Sequence, residues 1–310
     1  TRALFLLLAS SVLFAAGKPN VIVVDQAGRG QFKTVQAAID SIPENNHTRV
    51  VIEIRNGVYQ DHMGLKKNFV TFRGQDRKKT RLEWEVDTSA CPAPDRKEDQ
   101  CASFLVNASD LRFENLTVEN PSRKQGAKGV ALSISGSSTR VAIVNADIVG
   151  YGGDTLVMSS RGLYYLSNVY VSGTYHIIVP RARAWVENSK FWCLGHRTCL
   201  FNEGIMKESD KLVIKNSTID GPTEFGLGSY FRDAAWYFVD VTFGSNLMDL
   251  RIFKEKPSTP YEMKWGLDRV YFAGSKGPAY GWLGDNIAQS PMKDKRALTV
   301  AETLEGWKPE

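Results

Sequence analysis

The sequence predicts an all-β chain wound as a parallel β-helix, with a capping helix at its N-terminal end. Three observations carry that prediction. Between about residues 103 and 273 a unit recurs in which a short apolar strand runs into Asn or Asp and then into a second short alternating strand. Two-residue hairpin signals such as Asn-Gly are nearly absent between these strands, which disfavours antiparallel pairing. Upstream of the units lies one segment whose apolar residues follow a helical period.

Taken in order, the chain opens on an apolar run from Ala3 to Phe14, then Ala15, Ala16 and Gly17, the layout of a secretory signal with a small-residue cleavage site. The run is too short to span a bilayer. Residues 1–17 therefore read as a signal peptide and 18–310 as one β-helix domain, secreted or periplasmic, with no membrane contact once the signal is removed. Phe32 to Ile42 puts Val35, Ala38, Ile39 and Ile42 on one helical face, suited to covering the open end of a solenoid. The strand units are Leu111–Val118, Val141–Ile148, Leu163–Val171, Ala184–Ser189, Leu212–Ser217 and Trp236–Val241. Their markers, Asn115, Asn145, Asn168, Asn188, Asn216 and Asp240, are separated by 30, 23, 20, 28 and 24 positions. No unit can bury its own apolar face, so units must stack, and strands one coil apart then pair in parallel. Asn suits the bend because it tolerates left-handed backbone and its amide can bond the same bend in the next coil. Asn46, Asn107, Asn115 and Asn216 also match the glycosylation sequon, and for Asn115 and Asn216 the structural role is favoured. From about Pro257 a tail rich in Pro, Gly, Trp and Tyr leads to a helical segment, Ala297 to Glu305, expected to fold back along the β-helix.

Four cysteines fit an oxidising compartment. Proximity pairs Cys91 with Cys101 and Cys193 with Cys199, among three possible connectivities. No cysteine or histidine spacing suggests zinc. A net charge of +5 with scattered lysines and arginines argues against nucleic-acid binding. A capped solenoid offers no open end for stacking, so a monomer is expected.

Val24-Asp25, the stretch Gly28 to Ile39, Ile52 to Tyr59 and Phe69 to Gly74 resemble the pectin methylesterases, carbohydrate esterases that release methanol from methylated polygalacturonate. The resemblance implies a right-handed, pectin-lyase-like parallel β-helix, a pectin-like, uronate-rich polysaccharide as partner, and no cofactor. It also implies a site of two aspartates on adjacent coils: one attacks the ester, the other serves as acid and then base, and glutamines and an arginine assist. Gly153-Asp154-Thr155-Leu156 keeps the acid–base aspartate but lacks the glutamine before it. Gly173 to Pro180 aligns with the nucleophile motif and carries His176 in the nucleophile's position. Lys128 stands for a second glutamine, Ser229 for the arginine and Phe231 for a stacking tryptophan. The family's double displacement cannot run with these residues.

Asp154, His176, Lys128 and Ser229 are thus the candidate catalytic residues, and their chemistry leaves several arrangements open. Asp154 could orient His176 to activate Ser229. His176 could activate water, with Lys128 stabilising an oxyanion, or abstract a proton alpha to a uronate carboxyl. Tyr151, Tyr175, Tyr230 and Phe231 offer flat faces to a sugar, as does Trp236 unless it packs in the core. Arg232 is expected to bind substrate, and Arg181, Arg183, His196 and Arg197 could add charge toward uronate carboxylates. Two classes of function stand on these residues: a carboxylic ester hydrolase with a rewritten site, and a polysaccharide-binding descendant without catalysis.

Overall fold

The structure, a computed structural model, describes residues 20–86, 101–123, 129–159, 161–202, 204–256 and 260–309. The expected signal peptide lies outside these residues. The chain winds as a right-handed parallel β-helix whose three sheets contain, among the described residues, ten, eight and eight strands. Each complete coil contributes one strand to each sheet, while Asn20–Val24 and Val270–Ala273 add the two end strands of the ten-stranded sheet. Val141–Val144, Asp147–Val149 and Leu156–Met158 form one coil, and Leu163–Ser167, Tyr170–Gly173 and Ile178–Pro180 the next. Every strand pairing is parallel, as in Val141 with Tyr164, Asp147 with Tyr170 and Leu156 with Ile178.

The bend between the first and second strands is where the Asn markers sit. Asn115, Asn145, Asn168, Asn188, Asn216 and Asp240 all have φ between 48° and 56°, the left-handed region that Asn and Asp adopt at least cost. Asn145 Nδ2 donates to Asn115 Oδ1 at 2.6 Å, and Asn168 Nδ2 donates to Asn145 Oδ1 at 2.9 Å. The irregular spacing arises because loops between strands vary in length while the stacked strands keep register.

The interior is one apolar column in which inward residues of successive coils stack, as Phe72 does on Phe113 with ring centroids 5.0 Å apart. Trp236 belongs to this column. The N-terminal helix is Val35–Asp40, with the Thr34 side chain accepting from Ala37 N at its start. Val35, Ala38, Ile39 and Ile42 are all buried. At the other end of the sequence the helix is shorter than expected, Val300–Thr303, preceded by a tight turn at Lys295–Ala297. Leu298 and Leu304 pack on Trp185, Val213, Tyr237 and Val239, the outward residues of the first sheet. Arg183 ties this tail down by pairing with Asp210 at 2.7 Å and donating to Thr303 O at 3.2 Å. Arg183 is therefore a buried structural cation, and the expectation that it faces a uronate is corrected.

Cys193–Cys199 is a disulfide with its Cα atoms 5.5 Å apart, closing the loop between a second-sheet and a third-sheet strand. Cys101 is also disulfide-bonded, while Cys91 lies outside the described residues.

Candidate active site

The third sheet carries the site. Asp154 and His176 each stand two residues ahead of strands that pair in register, Leu156 with Ile178, so the winding stacks them on neighbouring coils. The next coil adds Thr198, whose carbonyl accepts from His176 N at 3.2 Å. Gly173 makes the approach possible: a Cβ there would lie 2.0 Å from Thr155 Oγ1. His176 then takes a left-handed backbone, φ 47°, unusual outside glycine although histidine is among the residues that tolerate it.

His176 is held on four sides. Its ring stacks on Tyr175 at 3.5 Å and on Phe201 at 4.2 Å between centroids. Nδ1 lies 3.4 Å from Asp154 Oδ1, and Nε2 lies 3.4 Å from Ser229 Oγ and 3.6 Å from Glu255 Oε1. Ser229 Oγ donates to Glu255 Oε1 at 2.5 Å, with the Thr198 hydroxyl 3.3 Å away. The Tyr175 hydroxyl donates to the same Glu255 oxygen at 3.5 Å. Burial and then the Glu255 charge push the Tyr175 phenol above its ordinary pKa, which keeps it a donor.

Accessibility separates these groups. The side chain of Asp154 is 37% exposed and that of Glu255 23%, against 8% for His176 and none for Ser229. A substrate or a water can therefore meet the two carboxylates, whereas the serine hydroxyl is sealed beneath the ring.

Glu255 is the residue that sequence reasoning missed. It follows the short strand Phe253–Lys254, in which Phe253 pairs with Ser229 one coil earlier, so the stacking that brings Asp154 to His176 also brings Glu255 to Ser229. A separation of 26 residues from Ser229 falls within the marker spacing, the one signal that could have flagged it. Beside this network a cleft of about 520 Å³ is lined by Tyr175, His196, Arg197, Thr198, Phe253 and Glu255 among others. The Cys193–Cys199 disulfide anchors the loop bearing His196 and Arg197.

The remaining candidates divide. Lys128 lies outside the described residues. Tyr151 is half-buried under the Arg123 guanidinium, 3.7 Å from its ring centroid. Phe231 packs edge-on against Phe201, on an apolar patch with Val157 and Val179 that is separate from the interior column. Tyr230 is corrected: only 4% exposed, it belongs to the interior column because the strand Gly226–Tyr230 turns it inward, and no sugar can stack on it. Arg181 and Arg232 line a different pocket, away from His176.

Comparison with known proteins supplies the context. The sequence profile described as Pectinesterase matches residues 21–202. The chain is 31% identical over 185 residues to probable pectinesterase 49 of Arabidopsis thaliana, covering 58% of this chain and 49% of that protein. It is 30% identical over 182 residues to pectinesterase 31 of the same plant, covering 56% of each. The chain thus spans about half the length of the curated relatives it matches. Among solved structures, the pectin methylesterase from carrot superposes with a TM-score of 0.70 at 20% identity, covering 96% of this chain and 95% of that one. Pectin methylesterase PemA from Erwinia chrysanthemi gives 0.71 at 18% identity, covering 95% and 99%.

Proposed function

Because the chain belongs to the pectinesterase family, as the match over residues 21–202 establishes, we propose that it hydrolyses an ester on a pectic or other uronate-containing polysaccharide, with water as the attacking group. The observation that carries this reading is the order of accessibility in the network, open at Asp154 and closed at Ser229. A covalent route needs an exposed nucleophile. Here the nucleophile's place holds an imidazole between two rings, and the Ser229 hydroxyl beside it is buried and bonded to Glu255.

In this reading Asp154 keeps an acid–base duty. Its carboxylate accepts a proton from water as the water oxygen attacks the ester carbonyl carbon. The tetrahedral intermediate collapses, the carbon–oxygen bond to the leaving alcohol breaks, and Asp154 returns the proton to the alkoxide. The products are one carboxylic acid and one alcohol, so the water is fully accounted for. His176 is a positioning residue that holds Asp154 through Nδ1, and Ser229 and Glu255 hold its other nitrogen. A structural neighbour, a pectin methylesterase, was solved in complex with a hexasaccharide, and an extended saccharide suits the open cleft beside Tyr175. Export is part of the proposal, supported by the apolar run at residues 3–14 and by the disulfide.

The test is release of methanol and acetate from methyl-esterified and acetylated pectins by the purified protein. Release that vanishes in Asp154→Ala and His176→Ala is the expected result. Absence of release by the unaltered protein, with pectin still bound, would replace the hydrolase by a polysaccharide-binding descendant.

A further inference from the structure

We propose that the cleft beside His176 is an acyl pocket, and that the ester this chain hydrolyses joins an aromatic acid to a sugar hydroxyl. The inference rests on the hydrolase reading above and names its substrate class. The cleft, about 520 Å³, is walled by Tyr175, Met248, Leu250 and Phe253, with Thr198 and Glu255 at the end that meets the His176 network. Its volume falls in the roughly 300–1,000 Å³ range of complete small-molecule sites, far more room than a methyl or acetyl group fills.

The fold forces these apolar side chains outward. Leu247 and Ile252 are buried in the interior column, so the loop between them is anchored at both ends and leaves Leu250 outside, with Met248 half-buried. Met248 N donates to Phe225 O at 2.9 Å and Leu250 N to Met248 O at 2.7 Å, which fixes the course of the loop. A Cβ on Gly226 would lie 3.5 Å from Leu250 Cδ2 and 3.6 Å from Met248 Cε, so both side chains meet over the start of the strand Gly226–Tyr230. Leu250 is 41% exposed and Phe253 38%. Single exposed apolar residues are ordinary, whereas two that share one concave site mark a place where an apolar group is taken from water.

These walls select an aromatic ring over a sugar. A pyranose needs hydrogen-bond partners around its edge, and Met248, Leu250 and Phe253 offer no strong donor or acceptor from their side chains. An aryl ring gains from each wall: offset or edge contact with the Phe253 and Tyr175 rings, a thioether contact with Met248, and burial against Leu250. At the rim Arg197, Lys254 and Lys256 are exposed cations of the kind that settle over an aromatic face. Arg197 already lies 5.9 Å from the centroid of the Tyr175 ring.

The cleft also opens where the chemistry is. Asp154 lies against Nδ1 of His176 and Glu255 against Nε2, so the cleft begins one imidazole's width from the accessible carboxylate. An aromatic acyl group seated between Tyr175 and Phe253 turns its carbonyl carbon toward the water that Asp154 activates. Water adds to that carbon and the bond to the sugar oxygen breaks. The proton taken by Asp154 passes to the sugar oxygen, giving one aromatic acid and one free hydroxyl.

The test compares the full chain with Leu250→Asn, an exposed position whose replacement removes no residue of the interior column. Binding is read first, by ligand-observed NMR titration with cinnamamide and acetamide, neither of which is an ester. Cinnamamide should bind with a Kd on the order of 1 mM, the scale set by its size at ordinary ligand efficiency, and acetamide should not saturate. The variant should weaken cinnamamide at least five-fold. Cinnamamide binding that is absent, or equal in the variant, overturns the pocket. Hydrolysis is read second, on a methyl galactoside carrying one O-cinnamoyl or one O-acetyl group on the same hydroxyl. The cinnamate should be cleaved with a kcat/KM at least ten-fold above the acetate, and that ratio should fall at least five-fold in the variant. An acetate cleaved as well as the cinnamate overturns the substrate class. If neither ester is cleaved while cinnamamide binds, the substrate class falls with the hydrolase reading and the aromatic pocket stands.

Discussion

A neutral imidazole has one N–H, and His176 has acceptors on both sides. It can donate to Asp154 or toward Glu255, while the doubly protonated ring donates to both. That arrangement serves to hold carboxylates, and it separates the roles of the residues around it. If hydrolysis runs as proposed, Asp154→Asn removes the accessible base and should lower kcat by roughly 10²–10⁴, the usual contribution of a positioned base. Ser229→Ala should cost less than about ten-fold, because a buried positioning hydroxyl is lost and no nucleophile, a loss on the scale of one hydrogen bond. Steady-state ester hydrolysis by the two variants decides: equal, complete loss in both would mean that the serine is attacked or attacking after all. Asp154 and His176 could be found from aligned motifs, Asp154 in the retained Asp154-Thr155-Leu156 tripeptide and His176 in the stretch Gly173 to Pro180, both just ahead of strands. Glu255 could not, because the segment that carries it has no motif and reaches the site only through coil stacking.

Among the elements, the Asn bends and the disulfide loop matter most. Asn145 sits at φ 50° and bonds Asn115 and Asn168 on the coils beside it, and Arg77 Nη1 donates to its Oδ1 at 3.2 Å. Asn145→Ala keeps a Cβ in left-handed backbone while removing these partners, and should destabilise by about 2–4 kcal/mol. Asn145→Gly should recover about 1 kcal/mol, since only the backbone part is relieved; urea unfolding of the pair measures both. Cys193–Cys199 closes a loop of sequence separation 6, so Cys193→Ser should cost about 2 kcal/mol. The same substitution should loosen His196 and Arg197 at the cleft, seen as a rise in KM larger than the fall in kcat. The Asn markers were legible in sequence because left-handed bends restrict residue type. The short second-sheet and third-sheet strands were less so, since three residues carry too little periodicity.

The whole molecule is sealed by its tail. Tyr237, on the outward side of the first sheet, is covered by that tail, and burial followed by its neighbour Tyr271 pushes its phenol up to about 12. The sign follows from the unfolded chain, where a tyrosine ionises near pH 10. Below that pH the fold loses nothing. Between pH 10 and about 12 the unfolded chain gives up its proton first, and stability falls by on the order of 2 kcal/mol. Denaturant midpoints measured from pH 9 to 12 should show this decline, and Tyr237→Phe should flatten it. A decline unchanged in the variant would assign the alkaline loss to other groups.

By itself the sequence determined the stacked-coil fold, the capping helix and the positions of Asp154 and His176. The first two rest on local chemistry, the αL tolerance of Asn and the apolar face of a short helix, and the last on the resemblance of two short motifs to those of the pectin methylesterases. Tertiary structure alone decided which side chains face outward and which distant ones meet. It turned Tyr230 into the column, drew Arg183 under the tail, buried Ser229 and brought Glu255 to it. The physical reason is that a β-helix converts sequence separation into neighbourhood through loops of variable length. Strand register, and with it the composition of the site, emerges only when the coils are stacked.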